Sequence, residues 1–162
     1  MKQFLSSKTC LSCEGCCRFL EQKSKWRAKV TVCEQKNISK CFPLKINSKG
    51  YLKDKPCHGK FACTFFNPKN TTCTIYDKRP FECSLYPFIL TNRDNKPSVS
   101  VHLACPYIQD KKDSSEYTRY VIYLKKIFKT PKIQNLLKTN PFLFSDYGND
   151  QIELEVVFPL VN

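Results

Sequence analysis

Residues 10–18 read CLSCEGCCR, placing Cys10, Cys13, Cys16 and Cys17 within eight consecutive positions and Arg18 directly after them. Steps of three and four residues return side chains to one face of a helical turn, whereas a looser loop wraps the same side chains around one centre. Gly15 suits the close backbone approach that wrapping needs. Zinc takes four tetrahedral soft ligands and iron–sulfur clusters commonly take four thiolates, so this density of cysteine points to one or the other. A disulfide framework is the competing reading. The chain carries 11 cysteines, an odd number, and nothing in Met1–Thr9 resembles a secretory signal, so metal is preferred.

Working outward, the next cysteines are far apart. Cys63, Cys73 and Cys83 are separated by nine intervening residues each, and Cys105 is followed by Pro106. Such steps draw each thiol from a different structural element. Tyr76 and Arg79 lie between Cys73 and Cys83, where a guanidinium beside a thiolate centre would offset negative charge and donate hydrogen bonds to sulfur. A salt bridge remote from any thiolate is the plainer reading of Arg79. Pro80 fixes the turn back towards Cys83. A Cys-x-x-Cys-x-x-Cys run with a distant Cys-Pro is a ferredoxin-type arrangement, echoed by Cys10, Cys13, Cys16 and Cys105-Pro106. That partition leaves Cys17, Cys63, Cys73 and Cys83 as a second four-thiolate set, and geometry could equally mix the two.

These residues resemble the YkgJ-like cysteine-cluster proteins, the CxxCxxCC domain. Its opening Cys-x-x-Cys-x-x-Cys-Cys-Arg is matched by Cys10 to Arg18. Its later Cys-x-Ile-Tyr-x-x-Arg-Pro-x-x-Cys-x-x-(Tyr/Phe)-Pro-Phe is matched by Cys73 to Phe88. The resemblance implies chelation of zinc or iron, with a 4Fe–4S cluster among the forms considered, by Cys10, Cys13, Cys16, Cys17, Cys63, Cys73, Cys83 and Cys105. A similar domain occurs in flagellin lysine N-methylases, which makes a metal- or iron–sulfur-dependent enzyme the alternative function. Cys33, Cys41 and Cys57 fall outside the pattern and are expected to be free thiols, although Cys57-His58 could supply substitute ligands. His58 and His102 are expected to be structural.

The composition bounds the rest. With 162 residues and 41% apolar content the chain can bury a core and is expected to form one domain. A formal charge of +13 falls to about +9 if eight thiolates hold two divalent centres, since −8 + 4 = −4. That balance favours an acidic protein partner. The lysines are scattered, which equally describes a solvated surface, and nucleic acid is not the expected ligand. No apolar run approaches the roughly 20 residues needed to span a bilayer. A soluble, cytoplasmic protein is expected, in a compartment where thiols stay reduced.

Periodicity supplies the elements. Trp26, Ala28, Val30 and Val32 alternate with Arg27, Lys29 and Thr31, predicting a half-buried strand. Leu44 to Ile46 and Tyr51 to Lys53 predict a hairpin about Asn47–Gly50, and Phe88 to Thr91 with Val99 to Ala104 a second one. Ser114 or Ser115 caps a helix with Tyr117, Tyr120, Val121, Leu124, Ile127 and Phe128 on its apolar stripe and Arg119, Lys125, Lys126 and Lys129 opposite. Pro131 opens a shorter helix, and Ile152 to Phe158 alternate as a last strand. The expected fold is α+β, a single small domain over residues 1–162: a metal-stapled cysteine region at 10–106 and a helical and strand extension at 107–162 packing on it. No G-x-G-x-x-G, zinc-protease helix or G-x-S-x-G motif is present, so the residues themselves name no catalytic group.

Overall fold

The computed structural model describes residues 1–12, 16–43 and 46–160. Cys13 and Gly15 of the opening motif, Leu44 of the first hairpin and Val161 lie outside the described residues. The fold is α+β, as the sequence leads one to expect, with six helices and three antiparallel sheets among the described residues. The chain divides into two compact units, Leu5–Ser84 and a second comprising Met1–Phe4 with Leu85–Asn162. The division falls at Ser84, well before the last cysteine.

In the N-terminal unit, α1 (Ser7–Ser12) precedes β1 (Arg18–Phe19), α2 (Val32–Ser39), β2 (Asp54–Cys57), β3 (Lys60–Cys63), β4 (Phe66–Asn67) and β5 (Thr72–Cys73). A 3₁₀ turn at Tyr76–Lys78 then leads to α3 (Phe81–Leu85). One sheet has the order β1-β3-β2 and the other pairs β4 with β5. Pro56 sits on β2, an edge strand, where its missing N–H costs no ladder bond. His58 and Gly59, at φ 48° and 72°, make the tight β2–β3 turn. One apolar cluster comprises Val30, Ile38, Leu52, Phe65 and Ile75, with Cys63 and Cys73 packed against it, and Leu5, Phe19, Ala62, Phe66 and Phe81 of this unit are buried as well.

The predicted strand at Trp26–Val32 is not what forms there. Thr31 caps α2 in a reciprocal capping box with Glu34, so the chain turns helical where strand alternation would have run on. Only Lys29 bridges to Tyr51, flanked by bonds from Val30 N to Gly50 O and from Leu52 N to Ala28 O. Burial does not alternate either, since Arg27, Lys29, Val30 and Thr31 are all buried and Val32 is 55% exposed. The turn at Asn47–Gly50 does form, with Ile46 bridging Leu52 and Gly50 at φ 80°.

The C-terminal unit follows its sequence pattern closely. β6 (Phe88–Arg93) and β7 (Lys96–His102) form the second hairpin, and Asp94 and Asn95, both at positive φ, turn it as two-residue hairpins require. β8 (Leu154–Pro159) adds to β7, with a bulge at Val99/Ser100 that leaves Val156 46% exposed. α4 (Pro106–Lys111) has no counterpart in the sequence reading. α5 (Ser115–Ile127) is capped by the Ser114 hydroxyl, which accepts from Tyr117 N, and buries Tyr120 and Leu124. α6 (Pro131–Thr139) buries Ile133 and Leu137. Phe4 packs edge-on against Phe88, Tyr107 and Tyr117, and the Tyr120 hydroxyl donates to Lys2 O at 2.6 Å. No helix among the described residues is long and apolar enough to cross a membrane.

Candidate metal centre

Five thiols of the N-terminal unit come from five separate places in the chain: Cys10 on α1, Cys17 ahead of β1, Cys63 ending β3, Cys73 ending β5 and Cys83 on α3. Backbone pairing is what gathers them. The β1–β3 ladder continues one bond further, with Cys63 N donating to Cys17 O at 2.9 Å. Two residues past Cys63, Phe65 O accepts from Thr74 N at 2.9 Å, and Phe66 on β4 pairs with Cys73 on β5.

The electrostatics show that the gathered thiols act on one another. Burial pushes the Cys63 thiol up to about 12, and negative charge on Cys17 and Cys73 would raise it further. Burial also raises Cys73, as do Cys17 and Cys10, while the Ile75 N–H and the Arg79 guanidinium pull it down. Cys83 is held well above the ordinary thiol range by burial first, then by Cys17, Cys63 and Cys73. The Phe65 N–H donates to Cys63 as Ile75 does to Cys73, so each sulfur is met by an amide two residues on. An amide bond to sulfur favours the thiolate, and burial in apolar surroundings opposes it.

α3, which carries Cys83, is anchored by carboxylates. Glu34 Oε1 accepts from Phe81 N at 2.5 Å while its Oε2 accepts from Thr31 N and Oγ1 at 2.9 and 2.7 Å. Glu82 Oε2 accepts from Lys29 N at 2.6 Å. Desolvation raises the Glu82 carboxyl to about 7 against the pull of Lys29, and desolvation lowers Lys29 in turn. Arg27 is bound to Asp54 at 3.0 Å, both side chains being almost wholly buried, and Arg27 and Lys29 lie 5.3 and 5.2 Å from the Tyr51 ring centre. Sequence reading passed over these anchors. The signal that could have found them is Thr31-x-x-Glu34, the capping-box spacing.

Arg79 follows the 3₁₀ turn at Tyr76–Lys78. Its guanidinium lies 3.8 Å over the Tyr76 ring, donates to Tyr76 O at 2.5 Å and acts on Cys73. Cys105 belongs to the C-terminal unit, where it is buried at the start of α4. Cys16 and Cys57 are half-buried, and Cys33 and Cys41 are exposed. His58 is an exposed turn residue. His102 stands between the Tyr86 hydroxyl and Glu153 Oε2, each at 3.1 Å, a structural setting.

The donor set fits a thiophilic metal. Cys16, Cys33, Cys41, Cys57, Cys63, Cys73, Cys83 and Cys105 are free thiols, so no disulfide framework joins them. Buried thiols that resist ionisation alone are deprotonated by a coordinating cation, which supplies the missing positive charge. Among the described residues no group of three or more His, Cys, Asp or Glu side chains is placed to hold a metal ion. The sulfurs share an electrostatic neighbourhood, and Cys13 lies outside the described residues.

A family model, CxxCxxCC, described as "Putative zinc- or iron-chelating domain", matches residues 9–106, which spans the opening cysteine motif and every thiol just discussed. No curated protein and no solved structure matches the chain.

Proposed function

Because this chain belongs to the CxxCxxCC family of metal-binding domains, we propose that its N-terminal unit holds a zinc or iron centre on the Cys17, Cys63, Cys73 and Cys83 thiolates. The supporting observation is that Cys17, Cys63 and Cys73 each act on the ionisation of Cys83. Cys10, which acts on Cys73, is a further donor here. Four thiolates on a divalent ion carry a net charge of about −2, which needs compensation in an apolar shell. Arg79, seated on Tyr76, supplies positive charge at Cys73, and the Phe65 and Ile75 amides supply hydrogen bonds to sulfur. Bound metal would then add to the unit's apolar burial, and binding energy becomes folding energy. The role is chelation or structural support rather than catalysis.

Metal and sulfide analysis of protein purified without oxygen, read with its visible spectrum, tests this. Colourless protein with stoichiometric zinc supports a closed thiolate site, whereas brown protein with iron and sulfide supports an iron–sulfur cluster on the same residues. Cys83→Ser and Cys63→Ser should each lose metal while Cys33→Ser keeps it. Protein that takes up neither zinc nor iron, or that keeps full metal in the Cys83→Ser variant, refutes the assignment.

A further inference from the structure

Cys41 lies outside the cysteine motif, yet it has a specific partner. It follows α2, is exposed, and its Sγ stands 2.7 Å from Nζ of Lys78, which is exposed at the end of the 3₁₀ turn. Both line an open surface groove of about 420 Å³ to which Asn37, Lys40 and Arg79 also contribute. The second exposed thiol nearby, Cys33, faces a carboxamide instead, Asn37 Nδ2 at 3.8 Å. Among the described residues, then, one exposed sulfur stands against an amine and one against a group that cannot act as a nucleophile.

We propose that Cys41 and Lys78 form a reversible, peroxide-operated covalent clasp. Cys41 as thiolate attacks hydrogen peroxide; an S–O bond forms, the O–O bond breaks, and the departing hydroxide leaves as water, giving the sulfenic acid. Sulfenic acids are captured by neighbouring thiols or nitrogen nucleophiles. Lys78 in its neutral amine form then attacks the sulfenyl sulfur. The Sγ–Nζ bond forms, the S–O bond breaks, and the hydroxyl leaves as water with a proton from the amine. In sum, thiol, amine and peroxide give a sulfenamide and two waters, sulfur being oxidised and peroxide reduced. A thiol reductant returns both side chains to their starting state.

Geometry favours this outcome over further oxidation. The two reacting atoms are already closer than the roughly 3–3.5 Å of a near-attack arrangement, so capture is intramolecular and outpaces a second peroxide arriving from solution. The open groove admits peroxide to the sulfur. Once made, the bond would tie the end of α2 to the turn that precedes Arg79, the residue that acts on Cys73. This inference stands independently of which metal the motif cysteines hold.

The test uses the full-length, metal-loaded protein in mildly alkaline buffer, which raises the neutral fraction of lysine amines in general. After brief treatment with hydrogen peroxide and blocking of remaining thiols, digested protein is mapped by mass spectrometry. The expected product is a peptide pair joined through Cys41 and Lys78, two hydrogens lighter than its parts, and separated again by dithiothreitol. Lys78→Arg should abolish the joined pair and send Cys41 on to sulfinic acid, while Lys40→Arg should leave it unchanged. Cys33 should give sulfinic acid with no lysine adduct. Cys41 recovered only as sulfinic acid, as a disulfide or unmodified in the wild-type chain overturns the proposal, as does a joined pair that survives Lys78→Arg.

Discussion

The two units of this chain bury their interiors by different means. The C-terminal unit has strands of six and seven residues, two amphipathic helices and an aromatic cluster around Phe4, Phe88 and Tyr120. The N-terminal unit has strands of two to four residues and an apolar cluster of five buried residues, and encloses Arg27, Lys29 and thiols beside it. A unit of such short strands, with polar groups and thiols buried beside its apolar residues, gains most from a further source of stability. Thiolates waiting on a cation are that source in our account. Elsewhere, ordinary hydrophobic burial suffices.

The contrast breaks most sharply on metal removal. Chelation should abolish amide protection across β2–β3 and β4–β5 while the β6–β7 hairpin keeps its own, measured by hydrogen exchange of the full chain. Equal loss in both units, or none in either, would erase the distinction. A structural site of this kind is worth about 10 kcal/mol or more in small zinc domains, so nothing else should have a comparable effect.

Next in size is the buried ion pair. Asp54→Ala strands the Arg27 guanidinium and should cost about 3–5 kcal/mol in denaturant unfolding of the metal-loaded protein. The counterpart in the other unit is Leu124→Ala, which removes a fully buried side chain from α5 and should cost about 2–5 kcal/mol with metal content unchanged. A fall in bound metal in the Leu124→Ala variant would show that the units do not differ as described.

The smallest effect sharpens the contrast at alkaline pH. Burial raises the Tyr117 phenol to about 12, above its ordinary value near 10, so the folded chain keeps a proton that the unfolded chain gives up. Its contribution is complete below pH 10 and is lost as pH rises towards 12. Tyr117→Phe should flatten that part of the stability profile. An unchanged profile would place the phenol in water.

Legibility in the sequence follows the same divide. The α5 stripe and the β6–β7 hairpin were readable because apolar spacing there answers to one buried face. Trp26–Val32 misled for the opposite reason: Arg27 and Lys29 are buried by Asp54, Glu82 and Tyr51, partners far along the chain, and the capping box at Thr31 outweighed strand alternation. The cysteine motif announced a thiophilic site and its family. The grouping of Cys17, Cys63, Cys73 and Cys83 was one of the options the sequence left open, and choosing it over a mixed set depends on Cys17 meeting Cys63 through the β1–β3 ladder. α4 was missed since six residues after Pro106 are too few to show a period.

The most direct test of the central claim is X-ray absorption at the metal edge of the purified, metal-loaded protein, because it counts ligand atoms by type. The account predicts a shell of four sulfur atoms, at about 2.3 Å if the metal is zinc, with sulfur lost from that shell in the Cys83→Ser variant. A first shell dominated by nitrogen and oxygen would contradict it.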